Sequence, residues 1–136
     1  IGQKTAERAK IEIATLYDDS EEKFTRVSGR DLVTGLPAAT KISSKEMRKL
    51  LLPILDEITN VVYSVLELTP PELSADLVDN GIIINGGGAL IPGIVEYFQE
   101  MVQLPVRTAT NPLTAIVEGT KVLLKNRGNY LINPSD

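Results

Sequence analysis

Apolar residues recur along this chain at two spacings, one typical of helices and the other of strands. In residues 3–16 they fall three and four apart, which predicts a helix with a narrow apolar stripe. The members of that stripe are Ala6, Ala9, Ile13 and Leu16. In residues 23–42 apolar and polar residues alternate and turn-forming Gly and Pro interrupt them, which predicts two strands. The connection 30–37 carries three apolar residues that could pack on the neighbouring helix or face a partner.

The widest apolar face of the chain predicts a helix from residue 43 to about residue 68. Ser43 and Glu46 have the spacing of a capping box, in which two side chains satisfy backbone amides at a helix start. A face this wide is typical of a helix that packs against a sheet. Pro53 lies inside the pattern and predicts a kink or a break, because proline lacks an amide donor and its ring meets the preceding turn.

The second half of the chain alternates short helices with short strands. In order, the pattern predicts a short helix capped by Thr69 and ended by Gly81, a buried strand at 82–84, a helix at 91–102, a strand at 104–108 and a helix starting at 111. Because a helix joins the two strands, we expect them to be parallel.

Three consecutive glycines, Gly86, Gly87 and Gly88, follow the strand at 82–84. A strand leading into a backbone-only loop and a helix N-terminus is a common way to hold a phosphorylated or nucleotide ligand, because the ligand can approach bare peptide. The same stretch also fits a tight turn without a ligand. The pattern of this stretch leaves both interpretations open.

Composition and charge exclude several functions. The chain has 18 acidic and 14 basic residues, a net charge of −4, and no basic stripe that could neutralise a nucleic-acid backbone. It has no cysteine and no histidine, which excludes disulfides, thiol and histidine catalysis, and zinc sites of the Cys/His type. No apolar run approaches the roughly 20 residues of a membrane-spanning helix.

Four carboxylates crowd into residues 18–22. Such a cluster could suggest a calcium site, but the spacing and the central glycine of an EF-hand are missing. We therefore interpret this stretch as a solvated loop.

The predicted elements do not complete a domain. Two parallel strands are too few to bury the long helix and the two later helices together. The chain also starts at Ile1, not at Met, and enters a helical pattern almost at once. The sequence is therefore expected to be a piece of a longer α/β protein, with an incomplete sheet flanked by helices and a small α/β unit before it.

Two stretches resemble the adenosine-binding motifs of the superfamily that includes actin, hexokinase and the heat-shock chaperones. Residues 84–93 have the apolar strand, the glycines and the Pro-Gly of one motif, and Glu7 and Lys10 have the three-residue spacing of the other. A closer resemblance is to the MreB family of bacterial actins, which determine rod shape, and it extends to about residue 124. The stretches that carry it are 1–13, 28–37, 69–73 and 111–115.

That resemblance implies an actin-like ATPase fold, ribonuclease H-like in its sheet, of which this chain holds part of domain II. Residues 1–42 would correspond to subdomain IIB and residues 43–136 to the C-terminal part of subdomain IIA. The phosphate loops, the magnesium-binding acidic residues and the water-positioning residue of the family ATPase lie in parts that this chain lacks. We expect no catalytic or metal-binding residue here, and no activity from these residues alone.

The resemblance also implies roles at an ATP or ADP site. Glu7 is expected to accept hydrogen bonds from the ribose hydroxyls, and Lys10 to lie along the ribose or the adenine. Ile11 stands where the chaperones place an arginine, so apolar contact would replace a cation–π interaction with the ring. The remaining site residues allow close approach to the backbone or flank the base as the next helix begins; they are Gly86, Gly87, Gly88, Ala89, Leu90 and Ile91.

As a function, the resemblance implies an ATP-binding cytoskeletal protein that polymerises into filaments governing bacterial cell shape, with this chain as the adenosine side of the cleft. Subunits would stack head to tail, with loops 30–37 or 18–22 as candidate contacts, and cell-shape and membrane-complex proteins would be further partners. The implied location is the cytoplasm, with membrane association through absent parts or partners. A small-molecule kinase or phosphotransferase of the same superfamily, and a nucleotide-free interaction fragment, stay open as alternatives.

Overall fold

The computed structural model describes residues 1–19 and 21–126, which begin with a helix and a β-hairpin. Helix α1 spans Gln3–Ile13, and strands β1 (Phe24–Arg30) and β2 (Pro37–Ser43) pair antiparallel, with Phe24 opposite Ser43. Thr25 and Val27 of β1 are buried and their neighbours are exposed, as expected for a hairpin with one covered face. The two predicted strands are confirmed.

Helix α1 differs from its prediction at both ends of the apolar stripe. Ala9 and Ile13 are buried, whereas Ala6 is exposed, because nothing in the described part of the chain covers that side of the first turns. The helix ends at Ile13 and not at residue 16. Ala14 is extended, and the amide of Leu16 donates to the carbonyl oxygen of Pro92 at 2.8 Å in place of a helical partner.

Helix α2 spans Ser44–Leu68 and starts at the predicted capping box. The Ser43 hydroxyl accepts from the Glu46 amide at 3.2 Å, and the Glu46 carboxylate accepts from the Ser43 amide at 2.8 Å. The helix continues through Pro53, so the predicted break is wrong. Pro53 is exposed, where water can satisfy the carbonyl group that loses its donor.

The apolar face of α2 is covered over only part of its length. Leu55 and Thr59 are buried towards α4 (Ile94–Val102), and the Tyr97 hydroxyl donates to the Asp56 carboxylate at 2.6 Å. Large apolar residues on the same helix stay exposed, among them Ile54, Val61 and Val65. The face that we expected to lie against a sheet therefore packs mainly against a helix in the described residues.

The second half contains the remaining elements. They are α3 (Pro71–Asn80), β3 (Ile82–Ile84), a 3-10 turn (Gly87–Leu90), α4, β4 (Val106–Thr108) and α5 (Ala115–Lys125). Strands β3 and β4 pair parallel, as predicted, with Ile82 opposite Val106. The core lies where α2, α4 and β4 meet, around Leu55, Phe98 and Val106.

Four local predictions for this half need correction. Thr69 does not cap α3, since its hydroxyl donates back to the Val65 carbonyl oxygen and Pro70 holds the cap position. Strand β3 is not fully buried, because only β4 pairs with it, and Ile83 is 51% exposed. The glycines lead into a 3-10 turn, so α4 begins at Ile94 and not at residue 91. A turn also occupies residues 111–114, which delays α5 to residue 115.

Among the described residues, no helix combines the length and the apolar character needed to cross a bilayer.

Candidate functional site

A cleft with a volume of about 370 Å³ lies between α1 and the glycine turn. Its walls come from two stretches far apart in the sequence, and a single residue from the turn before α5 also lines it. The lining residues are Glu7, Lys10, Ile11, Ala14, Gly87, Leu90, Ile91, Pro92 and Leu113. The structure therefore brings the predicted Glu–Lys helix face opposite the predicted glycine loop.

Most of the predicted site residues meet at this cleft, and three do not line it. Gly86 and Gly88 belong to the same loop as Gly87 but do not line the cleft, and Ala89 is buried, with 7% of its surface exposed. Three lining residues were missed: Ala14, Pro92 and Leu113. The first two are close in sequence to predicted site residues. Leu113 lies in one of the family-like stretches, but only tertiary packing shows that it faces the cleft.

Two charged side chains form the polar part of the lining. The Lys10 ammonium group lies 2.8 Å from Oε2 of Glu7, one helical turn away. The Glu7 side chain is 56% exposed and that of Lys10 is 30% exposed, so the pair contributes little to stability. Its effect is to orient a carboxylate, which accepts hydrogen bonds only, at the edge of an apolar cavity.

The rest of the lining is apolar and open to solvent. Ile11 is 75% exposed, Leu90 is 55% exposed and Leu113 is 69% exposed. Exposing three large aliphatic side chains around one cleft is unfavourable unless a ligand or another part of a protein covers them. An apolar cleft with a few convergent polar groups is typical of a small-molecule site.

The backbone of the glycine loop is fixed by hydrogen bonds within the protein. Gly86 has φ of 85° and ψ of 175°, a conformation that favours glycine, and its amide donates to the Pro112 carbonyl oxygen at 2.8 Å. The amides of Ala89 and Ile91 donate to Gly86 and Gly88, each at 3.1 Å. These bonds hold the loop in place, and Gly87, which has no side chain, lines the cleft with its backbone.

Gly87 is the glycine whose missing side chain keeps the cleft open. A Cβ atom built there would lie 3.8 Å from Cδ2 of Leu113, an ordinary contact distance. Because Gly87 lines the cleft and a Cβ atom there meets no backbone atom, a larger side chain should take up space in the cleft while the fold is kept.

The floor of the cleft joins its two walls directly. The hydrogen bond from the Leu16 amide to the Pro92 carbonyl links the end of α1 to the loop before α4. Gly93 has φ of 86°, and a Cβ atom there would lie 3.1 Å from Cβ of Leu16. A side chain at residue 93 would therefore crowd Leu16, so this close packing favours glycine.

The acidic stretch at 18–22 shows ion pairs with α2. Asp18 accepts from Arg48 at 2.8 Å, and Glu22 lies 3.5 Å from the Lys45 ammonium group. Within residues 1–19 and 21–126, no three carboxylates or other metal-binding side chains lie close enough together to hold a metal ion.

Sequence comparisons find relatives whose similarity to this chain extends over both walls of the cleft. The model of the MreB/Mbl protein family matches residues 1–131. The chain is 43% identical over 126 residues to the cell shape-determining protein Mbl of Bacillus subtilis, and 37% identical over 119 residues to the cell shape-determining protein MreB of Escherichia coli. These alignments cover 93% and 88% of this chain, but only 38% and 34% of the relatives. The chain thus spans well under half the length of the curated relatives that it matches.

Comparisons of structure agree. The crystal structure of MreB 5 of Spiroplasma citri bound to AMPPNP matches with a TM-score of 0.87 and 46% identity, over 95% of this chain and 39% of that one. The structure of MreB5 of the same organism bound to ADP matches with a TM-score of 0.84 and 47% identity, over 92% and 38%. The predicted actin-like α/β fold is confirmed. Since sequence and fold agree over nearly all of its residues, the chain belongs to the MreB/Mbl family.

Proposed function

We propose that this chain forms the nucleoside side of an ATP- or ADP-binding cleft in an actin-like cell-shape protein. The observation that supports the proposal is the cleft that sets Glu7 and Lys10 of α1 against Gly87. Two family members from Spiroplasma citri, similar to this chain over almost its whole length, have structures bound to AMPPNP and to ADP.

Each part of the cleft suits one part of a nucleoside. The Glu7 carboxylate can accept from the two ribose hydroxyls, while Lys10 holds it in place at 2.8 Å. The base, flat and largely apolar on its faces, would lie between Ile11 on one wall and Leu90 and Leu113 on the other. Covering these exposed aliphatic surfaces supplies most of the binding free energy.

The contacts available here are limited to the sugar and the base. In the family, the phosphates and magnesium are expected to be held mainly by parts that these residues do not include. We therefore expect weak binding by this chain, with a dissociation constant in the range of about 0.1–1 mM. Adenosine and ATP should bind with similar affinity, because the phosphates gain no contact, and no hydrolysis should occur.

A titration followed by NMR tests the proposal. Adenosine, and separately ATP, is added to the ¹⁵N-labelled chain, and shifts are expected at the amides of residues 7–14 and 87–92. Gly87→Val should abolish these shifts while the chain stays folded, since the new side chain fills the cleft without a backbone clash. Gly119→Val is the matched control, because that position on α5 has open space around it and lies outside the cleft. Normal adenosine binding by Gly87→Val would contradict the site assignment.

The remaining surface supports self-association as the second part of the function. The hairpin presents Leu32 and Val33, which are 98% and 95% exposed, at its tip. Asp31 holds this tip, accepting from the amides of Val33 at 2.9 Å and Thr34 at 2.7 Å. A fixed apolar tip loses little conformational entropy when it docks, which favours a role in protein contacts.

Charge is also segregated along the chain in a way that suits head-to-tail contact. The hairpin and its start carry basic residues, namely Lys23, Arg26, Arg30 and Lys41, with Asp31 as their one acidic neighbour in residues 23–43. Residues 50–106 contain no Lys or Arg. Their acidic residues are Asp56, Glu57, Glu67, Glu72, Asp76, Asp79, Glu96 and Glu100. A basic end on one subunit and an acidic body on the next favour an open, heterologous assembly.

Pelleting of the full-length protein in the presence of ATP tests this second part. Val33→Asp should reduce the pelleted fraction strongly, because it puts a charge at the apolar tip. Thr40→Asp changes an exposed residue of β2 away from the tip and should pellet like the parent protein. Equal pelleting of the two variants would exclude the tip as a subunit contact.

The division into subdomains follows the same proposal. Residues 1–42, with α1 and the hairpin, would be IIB-like, and residues 43–136 would be the C-terminal part of a IIA-like subdomain. An apolar groove of about 550 Å³ between α2 and α3, next to β3, fits a place where further strands of that subdomain pack. Cytoplasmic location, with membrane association through other parts or partners, belongs to this proposal as well.

A further inference from the structure

The connection between α1 and β1 is held by a side chain that belongs to neither element nor to the cleft. Arg48 of α2 donates from Nε to the Leu16 carbonyl oxygen at 2.9 Å and from Nη1 to the Asp18 carboxylate at 2.8 Å. We infer that Arg48 is a positioning residue that keeps the two walls of the nucleoside cleft at a fixed separation. This inference rests on the proposed nucleotide site.

Leu16 is the point at which the cleft and α2 are connected. Its amide donates to Pro92 on the glycine-loop side, and its carbonyl group accepts from Arg48 on the other side. Leu16 is also buried, with 7% of its surface exposed. The amide and the carbonyl group of Leu16 are therefore bound to different elements, so the residue is held from both sides.

The contact between Leu16 and the loop before α4 determines the direction in which Leu16 can move. The Leu16 amide already lies at hydrogen-bond distance, 2.8 Å, from the Pro92 carbonyl oxygen. Gly93 is so near that a Cβ atom there would lie only 3.1 Å from Leu16 Cβ. Leu16 cannot move further towards the loop, but it can swing away from it. Arg48 opposes that swing, because it holds the Leu16 carbonyl group from α2.

A movement of Leu16 would change the cleft itself. Ala14, two residues earlier, lines the cleft, and Ile11 lies one helical turn before Ala14. If the end of α1 swings away, the distance from Ile11 to Leu90 on the facing wall increases. A base placed between these side chains would then lose contact with one of them.

The arginine side chain suits this task better than lysine would. Its planar group carries donors on separate nitrogen atoms, so it reaches a carbonyl oxygen and a carboxylate two residues apart at the same time. Asp18 is 82% exposed, so its ion pair contributes little and the bond to the Leu16 carbonyl is the important one. A second hydrogen bond, from the Tyr17 hydroxyl to the Glu96 carboxylate at 3.0 Å, limits how far the connection between α1 and β1 can move away from α4.

Hydrogen exchange measured by NMR, without any ligand, is the first test. In Arg48→Gln the Leu16 amide should exchange about tenfold faster, because the carbonyl group of the same residue loses a charge-assisted hydrogen bond and Leu16 is held less firmly. Arg48→Lys should fall between this variant and the parent, and Asp18→Asn should change little. The Phe98 amide in α4 serves as the internal reference for overall stability. Unchanged exchange at Leu16 in Arg48→Gln would overturn the inference.

Adenosine titration of the same variants is the second test. Binding should be at least about threefold weaker in Arg48→Gln and closer to normal in Arg48→Lys. Faster exchange at Leu16 with unchanged adenosine affinity would also overturn the inference, since Leu16 would then be more mobile without any effect on binding in the cleft. If the parent chain bound no adenosine at all, the proposed function would fail, while the exchange data would still decide whether Arg48 holds the walls.

Discussion

Gly81, between α3 and β3, is the position at which a single methyl group should cost the fold most. Its φ of 69° and ψ of −163° lie in a region that is essentially restricted to glycine. A Cβ atom there would lie 2.2 Å from the Pro105 carbonyl oxygen and 2.8 Å from the Pro105 carbonyl carbon. Both contacts are with backbone atoms, so Gly81→Ala cannot be accommodated by a side-chain rotation.

The cost of Gly81→Ala has two parts. Holding alanine in this backbone region costs about 1–3 kcal/mol. Moving Pro105 away endangers the hydrogen bond from the Ile82 amide to the Pro105 carbonyl oxygen, now 2.8 Å long, and a lost bond of this kind costs about 1 kcal/mol. We expect Gly81→Ala to lower the free energy of unfolding by about 2–4 kcal/mol, a large share of the ~5–15 kcal/mol typical of a domain.

Urea unfolding followed by circular dichroism measures this loss. Gly119→Ala provides the matched control, because Gly119 lies inside α5 with open space where its Cβ atom would go. The same substitution there should raise the free energy of unfolding by about 0.5–1 kcal/mol, since alanine favours a helix. If Gly81→Ala stayed within about 0.5 kcal/mol of the parent chain, the steric reasoning would be refuted.

Three further predictions concern local hydrogen bonds. Ser43→Ala removes the capping box of α2 and should cost about 1 kcal/mol in urea unfolding, whereas Ser43→Thr should cost less. The hydrogen bond from the Thr34 amide holds the pKa of Asp31 below its ordinary 3.8. The ordered tip is therefore favoured at neutral pH and should loosen as the pH falls through that lowered pKa. Amide exchange at Thr34, measured in acid, should become faster, and unchanged exchange would contradict this. The hydrogen bond to Glu96 raises the pKa of Tyr17 above 10.0. The stabilising effect of this hydrogen bond should be lost only as the pH rises through that higher pKa. Phenolate absorbance should show that Tyr17 ionises at a lower pH in Glu96→Gln than in the parent chain.

Elements with strong local signals could be predicted from the sequence. The capping box of Ser43 and Glu46 appears as predicted because both partners lie within one turn. The hairpin and the parallel strand pair also follow from nearby residues and from the helix between the strands. Helix α1 ends earlier than predicted because the Leu16 amide donates to the Pro92 carbonyl oxygen, which is distant in the sequence. The spacing of apolar residues cannot predict such a tertiary hydrogen bond.

The candidate site shows the same division. Glu7, Lys10 and Gly87 were predicted as site residues because their types and spacing resemble a known motif, and the structure places them around one cleft. Leu113 could not be identified from the sequence, since it reaches the cleft only through the packing of the turn before α5. Arg48 could not be identified either, because its proposed role depends on a hydrogen bond to the backbone carbonyl group of Leu16. Every residue has such a carbonyl group, so the sequence does not indicate which one an arginine will bind.

The stretch without cations, residues 50–106, has a consequence for how this chain responds to salt. Helices α2, α3 and α4 all end without a basic residue in their last turn, so their negative C-terminal dipoles go uncompensated. At low ionic strength the acidic side chains around them repel one another and oppose compaction. Since the screening length falls to about 10 Å in 0.1 M salt, this stretch of the chain should gain stability as salt is added.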